Sequence, residues 1–531
     1  MNAIILVIFS LFFFCLGIFF YANYLEVILG IDPKEKTPAY TRYDGVDFVP
    51  ARHWLILFGH HFSSIAGAAP IIGPVIAVTI WGWGPSILWI VLGAVFIGGL
   101  HDFSALSISV KKEGNSIGDI AKDVVSYKAK IVFSLFILLT LILIVSVFAY
   151  LCAKTFIVDP CIIPPSLGLI PVAILCGILL YRFNRSYVTV TLFGLSCVFM
   201  LIVGGSFFHF SVKVSINTWI AILLIYAFFA SITPVHILLQ PRDYLSSFLL
   251  FFGIAVGYLG LIISHPSLHV PFLAESKESP IWPFLFVTIA CGAVSGFHGL
   301  IASGTTSKQL SNQMHAKRIG YGAMIFESAL SVLALLCVCA GFKEFSLLKE
   351  TFHNKGPIVV FSEGFGILTA PLLKGYGSEI AVVILNAFIL TTLDTATRIS
   401  RYIFSELTGI KSRIFSTSAV ILLAGALSFG GRWRLIWPVF GASNQLIATF
   451  TLLIITCWLV FRSKPTRLFL CISIFMLITT TYSLFLQIKD YLICKQLVLF
   501  VISVLLLIMT IFMIFEIGLA FKRFYKKSSR V

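Results

Sequence analysis

Residues 58–74 read FGHHFSSIAGAAPIIGP, and they lie within a longer apolar stretch from 54 to 80. A plain membrane helix would fill that length with Leu, Ile and Val. Here His60, His61, Ser63 and Ser64 are followed by Gly67, Pro70, Gly73 and Pro74. Glycine weakens a helix, and proline also removes a backbone donor. In hydrocarbon every freed amide or carbonyl must find a partner, so broken backbone survives at membrane depth only where protein covers it or a polar cavity meets it. A second stretch of the same kind, 284–306, reads FLFVTIACGAVSGFHGLIASGTT, with four glycines and His298 among them. Small residues also serve simple close packing of helices. Two such stretches, each with histidine beside the break, instead predict a pair of broken helices walling a substrate site.

Composition sets the class. The chain has 59% hydrophobic and 11% charged residues and a mean hydropathy of +1.02, which fits a membrane-embedded protein rather than a soluble domain. The apolar run from Met1 continues to Leu29, long enough to span, with no basic segment before it, so it reads as a retained helix rather than a cleaved signal. The eleven cysteines are scattered without paired CxxC spacing, which suits buried small hydrophobes. A net charge of +16 is expected from basic cytoplasmic loops rather than nucleic-acid binding. No Gly-Lys dipeptide and no HExxH occur, so neither an ATP-binding P-loop nor a zinc-protease helix is expected. The chain is not expected to be an enzyme.

Hydropathy predicts an all-α membrane bundle of about fifteen spans: 3–30, 54–80, 85–110, 131–153, 167–181, 187–208, 217–239, 243–263, 283–303, 320–341, 379–404, 414–429, 435–461, 468–487 and 496–521. Loops after odd-numbered spans, with the C-terminus, hold 27 of the 38 Lys and Arg. The positive-inside rule then places the N-terminus outside and the C-terminus in the cytoplasm. Spans two and nine, the broken ones, cross in opposite directions, as an inverted repeat requires. The whole chain, 1–531, reads as one membrane domain. Residues 31–53 form an ordered cytoplasmic loop and 111–130 a short interfacial helix. Residues 342–378 form a long external loop with apolar pieces, and 522–531 a basic cytoplasmic tail.

The strings PKEKTPAYTRYDGVDFVP, LFGHHFSSIAGAAPIIGPVIA, GGLHDFSALSISVKKEG, LLQPRDYLSSF, TIACGAVSGFHGLIASGTTSKQLSN, RIGYGAMIFES, ILTTLDTATRISRYIF and LIWPVFGASNQLIA run from about residue 32 to 450. In them the chain resembles the carbon starvation protein A family, CstA. The resemblance implies a multi-pass bacterial inner-membrane transporter linked to nutrient limitation, a stress response. It implies import of short peptides, with relatives that are proton-coupled pyruvate transporters. It also implies the amino acid–polyamine–cation superfamily, whose core is five plus five inverted helices. Two positions depart from the family pattern: His101 in GGLHDF and Thr395 in LTTLDTATR.

The expected substrate-binding residues are His60, His61, Ser63, Ser295, His298, Asn444 and Gln445, whose imidazole, hydroxyl and amide groups suit peptide amides and carboxylates. Asp102, Asp394 and Glu327 are acids inside apolar spans, and such residues mark ion pathways. With Thr391 and Thr392 they form the expected ion-coupling set. Asp394 and Arg398 stand four apart and are expected to pair on one helix face. By superfamily analogy, the hydroxyls of Thr391 and Thr392 would face the carbonyls of Ala66 or Gly67. Arg242 and Asp243 are read as stapling a cytoplasmic turn. No cofactor is expected, and the coupling cation is a proton in preference to sodium. A metal set from His60, His61, His298 and Asp102 lacks local ligand spacing, so no metal site is expected. The partners are a small-molecule substrate and the lipid bilayer, with no nucleic acid. A channel and a nutrient sensor are the rival classes. Saturable, gradient-driven uptake would separate a carrier from a channel.

Overall fold

Proline and glycine decide where the helices stop. The computed structural model describes residues 1–207, 214–274, 276, 279–429, 431 and 433–528, with the side chains of 206–207 and 525–528 outside the description. The last three residues of the expected basic tail therefore lie outside the described residues. The helices in chain order are α1 (Ala3–Leu29), α2 (Trp54–Ile65), α3 (Ala69–Trp81), α4 (Trp83–Lys111), α5 (Ile117–Val124), α6 (Tyr127–Val158) and α7 (Ile163–Tyr181). They continue as α8 (Tyr187–Phe207), α9 (Ile216–Ile232), α10 (Leu239–Ser264), α11 (Ile281–Thr288), α12 (Gly296–Gly304), α13 (Lys317–Gly341) and α14 (Phe345–Lys355). The remainder are α15 (Pro357–Leu373), α16 (Gly377–Thr408), α17 (Arg413–Ser428), α18 (Trp433–Phe461), α19 (Arg467–Ile493) and α20 (Leu497–Ser528). Among the described residues the only strand-like pairing is the bridge between Asn2 and Ser267.

Eleven helical stretches among the described residues are long and apolar enough to cross a membrane, and twelve are if the bent pair α2–α3 counts as one. The other three of the fifteen expected spans are the short apolar helices α9 and α17 and the interrupted pair α11–α12. Residues 342–378 are built of two helices, α14 and α15, and α15 packs on α10, α13 and α16. Within the 111–130 segment the ordered helix is α5, capped by the Ser116 hydroxyl, which accepts from the Asp119 amide. The 31–53 loop is held by local bonds: Asp44 Oδ1 accepts from the amides of Val46, Asp47 and Phe48 at 2.8–2.9 Å.

Both predicted breaks are present. α2 ends at Ile65, and α3 starts at Ala69, across three intervening residues and a 40° bend. The second break is longer: residues 289–295 are non-helical between α11 and α12. The freed backbone groups are met by side chains from neighbouring helices. Pro74 has no N–H to give the Pro70 carbonyl four residues back, and the Ser331 hydroxyl on α13 donates to that carbonyl at 2.8 Å. Thr392 Oγ1 on α16 donates to the Ser64 carbonyl at 3.3 Å. Gln445 Nε2 on α18 donates to the Phe286 carbonyl at 2.7 Å. Trp89 Nε1 on α4 lies 3.2 Å from the carbonyls of Phe286 and Ile289. The Phe297 amide, at the start of α12, donates to Asn444 Oδ1 at 2.8 Å. This is the covering that broken backbone needs in an apolar medium. α3 can approach the second break this closely because Gly73 has no Cβ: one added there would sit 2.7 Å from the Thr288 carbonyl oxygen.

The lipid-facing surface is legible from exposure. Phe199 and Met200 on α8, Leu422 on α17, and Ile508, Ile511 and Phe515 on α20 are large apolar side chains facing outward. In a soluble protein so much exposed apolar surface would drive association, whereas on a bundle of membrane-spanning helices it suits contact with acyl chains. The interior helices α6, α13, α16 and α18 are buried over most of their length.

Candidate functional site

Two clusters of buried polar side chains flank the breaks. The first joins α2, α9, α10 and α16. Arg242 bridges two carboxylates: its Nη1 pairs with Asp394 Oδ2, and its Nη2 lies 2.8 Å from Asp243 Oδ1. Tyr226 Oη donates to Asp394 Oδ2 at 2.7 Å and receives a hydrogen bond from Arg242 Nη1 at 2.5 Å. Asp243 Oδ2 lies 2.8 Å from His60 Nδ1, and the Ser63 hydroxyl donates to the Asp243 backbone carbonyl at 2.8 Å. Gln309 Nε2 stands 3.4 Å from His60 Nε2, and Gln240 Nε2 donates to Gln309 Oε1 at 2.7 Å. Arg242, Asp243, His60 and Asp394 are all fully buried. Arg242 Nε and Asp394 Oδ1 have no hydrogen-bond partner among the described residues.

The second cluster joins α4, α12 and α13 to the non-helical stretch 289–295. His298 Nδ1 lies 2.8 Å from Asp102 Oδ2, and His101 Nδ1 lies 2.7 Å from Asp102 Oδ1. His298 Nε2 is 3.1 Å from Glu327 Oε2. The Cys291 thiol is 3.5 Å from the Ser295 hydroxyl. Asn444 Nδ2 donates to that hydroxyl at 2.9 Å and reaches Cys291 Sγ at 3.8 Å. All of these residues are buried. Cys291, His298 and Glu327 bring one ligand atom each within 4.8 Å of one another.

The expected site residues are thus divided. His60, Ser63 and Asp394 fall in the first cluster, and Asp102, His298, Glu327, Ser295 and Asn444 in the second. His61 stands apart, with Nδ1 2.8 Å from Thr306 Oγ1. Gln445 serves the backbone at the second break. Thr391 bonds within its own helix, to the Ala387 carbonyl at 2.8 Å. Thr392 meets the carbonyl of Ser64 rather than that of Ala66 or Gly67. Asp394 does not pair with Arg398. It turns to Arg242, while Arg398 Nη1 reaches Asp47 Oδ1 at 3.2 Å. Arg242 and Asp243, read as stapling a cytoplasmic turn, lie instead within the first turns of α10 and are fully buried. Of Tyr226, Arg242, Asp243 and Cys291, only an Arg-Asp dipeptide opening an apolar segment carried a sequence signal.

Between the breaks the space is small. A void of about 10 Å³, lined by Ile65, Gly67, Ala69, Phe148, Cys291, Phe297, Thr392 and Phe440, lies where the two interruptions face each other. That is near the lower limit for one water, and its lining is largely apolar. At one end of the bundle a cleft of about 350 Å³ reaches Thr288, the last residue of α11, between Trp81, Trp433, Trp437 and Tyr491. Arg434 and Asp490 also line it. Its volume lies in the range of small-molecule sites.

The comparisons with known proteins agree with one another in kind. The profile of "Carbon starvation protein CstA" matches residues 2–349 and 346–483. A "Peptide transporter CstA" of Campylobacter jejuni is 30% identical over 575 residues, 92% of this chain and 81% of the relative. A Helicobacter pylori protein of the same name is 32% identical, over 86% of this chain and 77% of the relative. The "Pyruvate/proton symporter BtsT" of Escherichia coli is 30% identical, over 88% and 79%. In fold, a crystal structure of an Eremococcus coleocola manganese transporter aligns with a TM-score of 0.55 at 14% identity, over 91% of this chain and 99% of that one. With a profile spanning most of its length and relatives at 30–32% identity over more than three quarters of theirs, the chain belongs to the carbon starvation protein CstA family.

Proposed function

We propose that the chain is a secondary transporter that imports short peptides under carbon starvation, by alternating access coupled to a cation, in a bacterial inner membrane. The observation that carries this reading is the meeting of the two breaks: Gly67 and Ala69 of the first line the same void as Cys291 and Phe297 of the second, with a buried charge cluster on either side. The peptide-transporter names of the relatives support it. Substrate enters by the aromatic cleft, which lies on the outer side if the N-terminus is outside, and seats between the breaks once the central void widens. Arg434 and Asp490 suit the two charged ends of a peptide. His60, His61, Ser63, Ser295, His298, Asn444 and Gln445 are the polar groups this reading assigns to the substrate once the void widens. A proton is the coupling ion in this reading, carried by Asp394 with Asp102 and Glu327. Thr391 and Thr392 are the hydroxyls a sodium ion would use instead.

The core in this reading is a five-plus-five inverted repeat within fifteen spans. The first set is α2–α3, α4, α6, α9 and α10, and the second α11–α12, α13, α16, α17 and α18. Their lengths support the match: α6 and α16 each have 32 residues, while α9 and α17 have 17 and 16. α7 and α8 then form an insertion, and α1, α19 and α20 lie outside the core. A second reading, import of pyruvate or another small carboxylate, is favoured by the name of the Escherichia coli symporter.

Uptake of labelled dipeptides and of pyruvate into proteoliposomes, with proton and sodium gradients imposed separately, tests this. Saturable dipeptide accumulation driven by the proton gradient is expected. Accumulation of pyruvate alone would move the assignment to the second reading, and non-saturating flux would make the chain a channel.

A further inference from the structure

Cys291, His298 and Glu327 come from three separate elements: the non-helical stretch before α12, the first turn of α12, and α13. Their ligand atoms lie within 4.8 Å of one another, and all three residues are buried. His298 Nε2 and Glu327 Oε2 are 3.1 Å apart. Yet neither Nε2 nor either Glu327 oxygen has a hydrogen bond of acceptable geometry among the described residues. Oε2 thus keeps only an ion-pair contact with the imidazole, and Oε1 has no partner among the described residues, which is costly for a buried carboxylate. Close ligand atoms that face one another without hydrogen-bond geometry are the arrangement of neighbours in one coordination sphere. With metal–ligand bonds of zinc type, such atoms stand roughly 3.3–3.8 Å apart.

The surroundings match those of a metal-bound histidine. His298 Nδ1 faces the Asp102 carboxylate at 2.8 Å, the carboxylate–imidazole contact that in metal sites orients the ring and turns Nε2 to the ion. Asn444 Nδ2 stands 3.8 Å from Cys291 Sγ, a donor that favours the thiolate. Cys291 sits on non-helical backbone, so closing the remaining distance needs only a local shift of chain. A thiolate, an imidazole and a carboxylate suit a borderline-soft transition ion and not calcium or magnesium, which take oxygen.

We propose that Cys291, His298 and Glu327 bind a zinc-class divalent ion, with Asp102 as the positioning group behind His298. Thiolate and carboxylate neutralise the ion's charge, and the fourth tetrahedral position is left for water or an anionic ligand. The ion ties the second break to α13. The binding site stands whatever the cargo. Its consequence, arrest of transport by pinning the break and occupying the lone pairs a proton would use, rests on the reading above.

The test uses the full chain in detergent with the two exposed cysteines removed, Cys471→Ser and Cys494→Ser. Cobalt titration should give one ion per chain and a thiolate-to-cobalt charge-transfer band, lost on adding zinc. Adding Cys291→Ser should abolish the band and weaken zinc binding at least a hundred-fold. Asp102→Asn should keep the band and weaken binding about 10- to 100-fold. Absence of the band before Cys291 is touched overturns the proposal, as does a band that survives Cys291→Ser. If Cys291→Ser does not fold, Glu327→Gln takes its place: a shifted band with weaker binding supports the site, and an unchanged spectrum and affinity sink it. Each result is read in the absence of transport, so failure of the peptide reading leaves it intact.

Discussion

Arg242 is one buried cation held between two buried carboxylates, and that arrangement limits what each can do. With Asp243 also taking His60 Nδ1 at 2.8 Å, the guanidinium is, among the described residues, the only fixed positive charge in contact with Asp394. Removing one member of a buried ion pair leaves an uncompensated charge, at about 3–5 kcal/mol. Arg242→Gln should therefore lower the melting temperature of the detergent-solubilised chain sharply, and the double variant Arg242→Gln/Asp394→Asn should recover part of that loss. A fully additive loss would mean the two residues do not interact. Asp394→Asn alone keeps Arg242 paired with Asp243 and should fold. If Asp394 carries the coupling proton, this variant should lose gradient-driven accumulation but keep substrate exchange at equal concentrations. Loss of both activities together would place Asp394 in substrate binding instead. At this scale the sequence marked the buried acids and histidines, because a charge inside an apolar run is visible in one dimension. It did not reveal their partners, since His60 and Asp243 are 183 residues apart and Asp394 meets Arg242 across 152. The one local pairing that spacing suggested, Asp394 with Arg398, gave way because Arg398 has Asp47 and the Ala230 carbonyl within reach.

The breaks are the elements most legible in the sequence, since glycine and proline act on their own backbone. What the sequence could not supply is the set of side chains that cap the freed carbonyls, because Ser331, Thr392 and Gln445 arrive from other helices. The first break is tight as well as covered. A Cβ at Gly67 would meet Thr392 Oγ1 at 2.5 Å and Phe148 Cε1 at 2.8 Å. Gly67→Ala should thus push Thr392 from the Ser64 carbonyl, destabilise the chain by about 1–3 kcal/mol, and depress uptake more than protein level. Unchanged uptake at unchanged stability would show that the break tolerates a side chain. The 31–53 loop was legible as ordered but not in what holds it. Burial pushes the Asp47 carboxyl up, yet Arg398, Lys308, Tyr402 and Arg401 outweigh it and hold the group below its ordinary 3.8. A depressed carboxyl contributes stability above its unfolded value and loses it as pH falls through the lower folded value. Loop attachment should therefore be flat with pH through neutrality and weaken only below 3.8. Asp47→Asn should remove that acid limb. Limited proteolysis of the loop against pH reads both, and a limb near neutrality would contradict the assignment.

Across the bundle the two ends differ. At the end where α3 and α11 meet, the aromatic cleft is open down to Thr288. At the other, the 31–53 loop is closed: the Ala51 amide donates to the Gln309 carbonyl at 2.9 Å, Gln313 Nε2 to Glu35 Oε2 at 2.9 Å, and Asp47 holds Arg398 at 3.2 Å. Hydropathy showed a bundle, and charge counting gave an orientation. Neither can show which end is shut, because that depends on contacts between distant segments. If the molecule works by alternating access, the Asp47–Arg398 pair is a latch that must break when the loop end opens. The pair is intermediate between surface and core, with Asp47 16% and Arg398 1% exposed at the side chain. Its loss is worth about 1–2 kcal/mol, or roughly a 5- to 30-fold shift in the balance of the two states. Two cysteine reporters measure that balance in a Cys471→Ser/Cys494→Ser background: Ile76→Cys in the cleft and Ala51→Cys under the loop. Asp47→Asn should raise the maleimide labelling rate at 51 relative to that at 76 by the same factor, whatever the starting populations. A ratio that does not move would leave the latch outside the transport cycle. A rise at 51 with the rate at 76 fully unchanged would mean the loop had merely frayed.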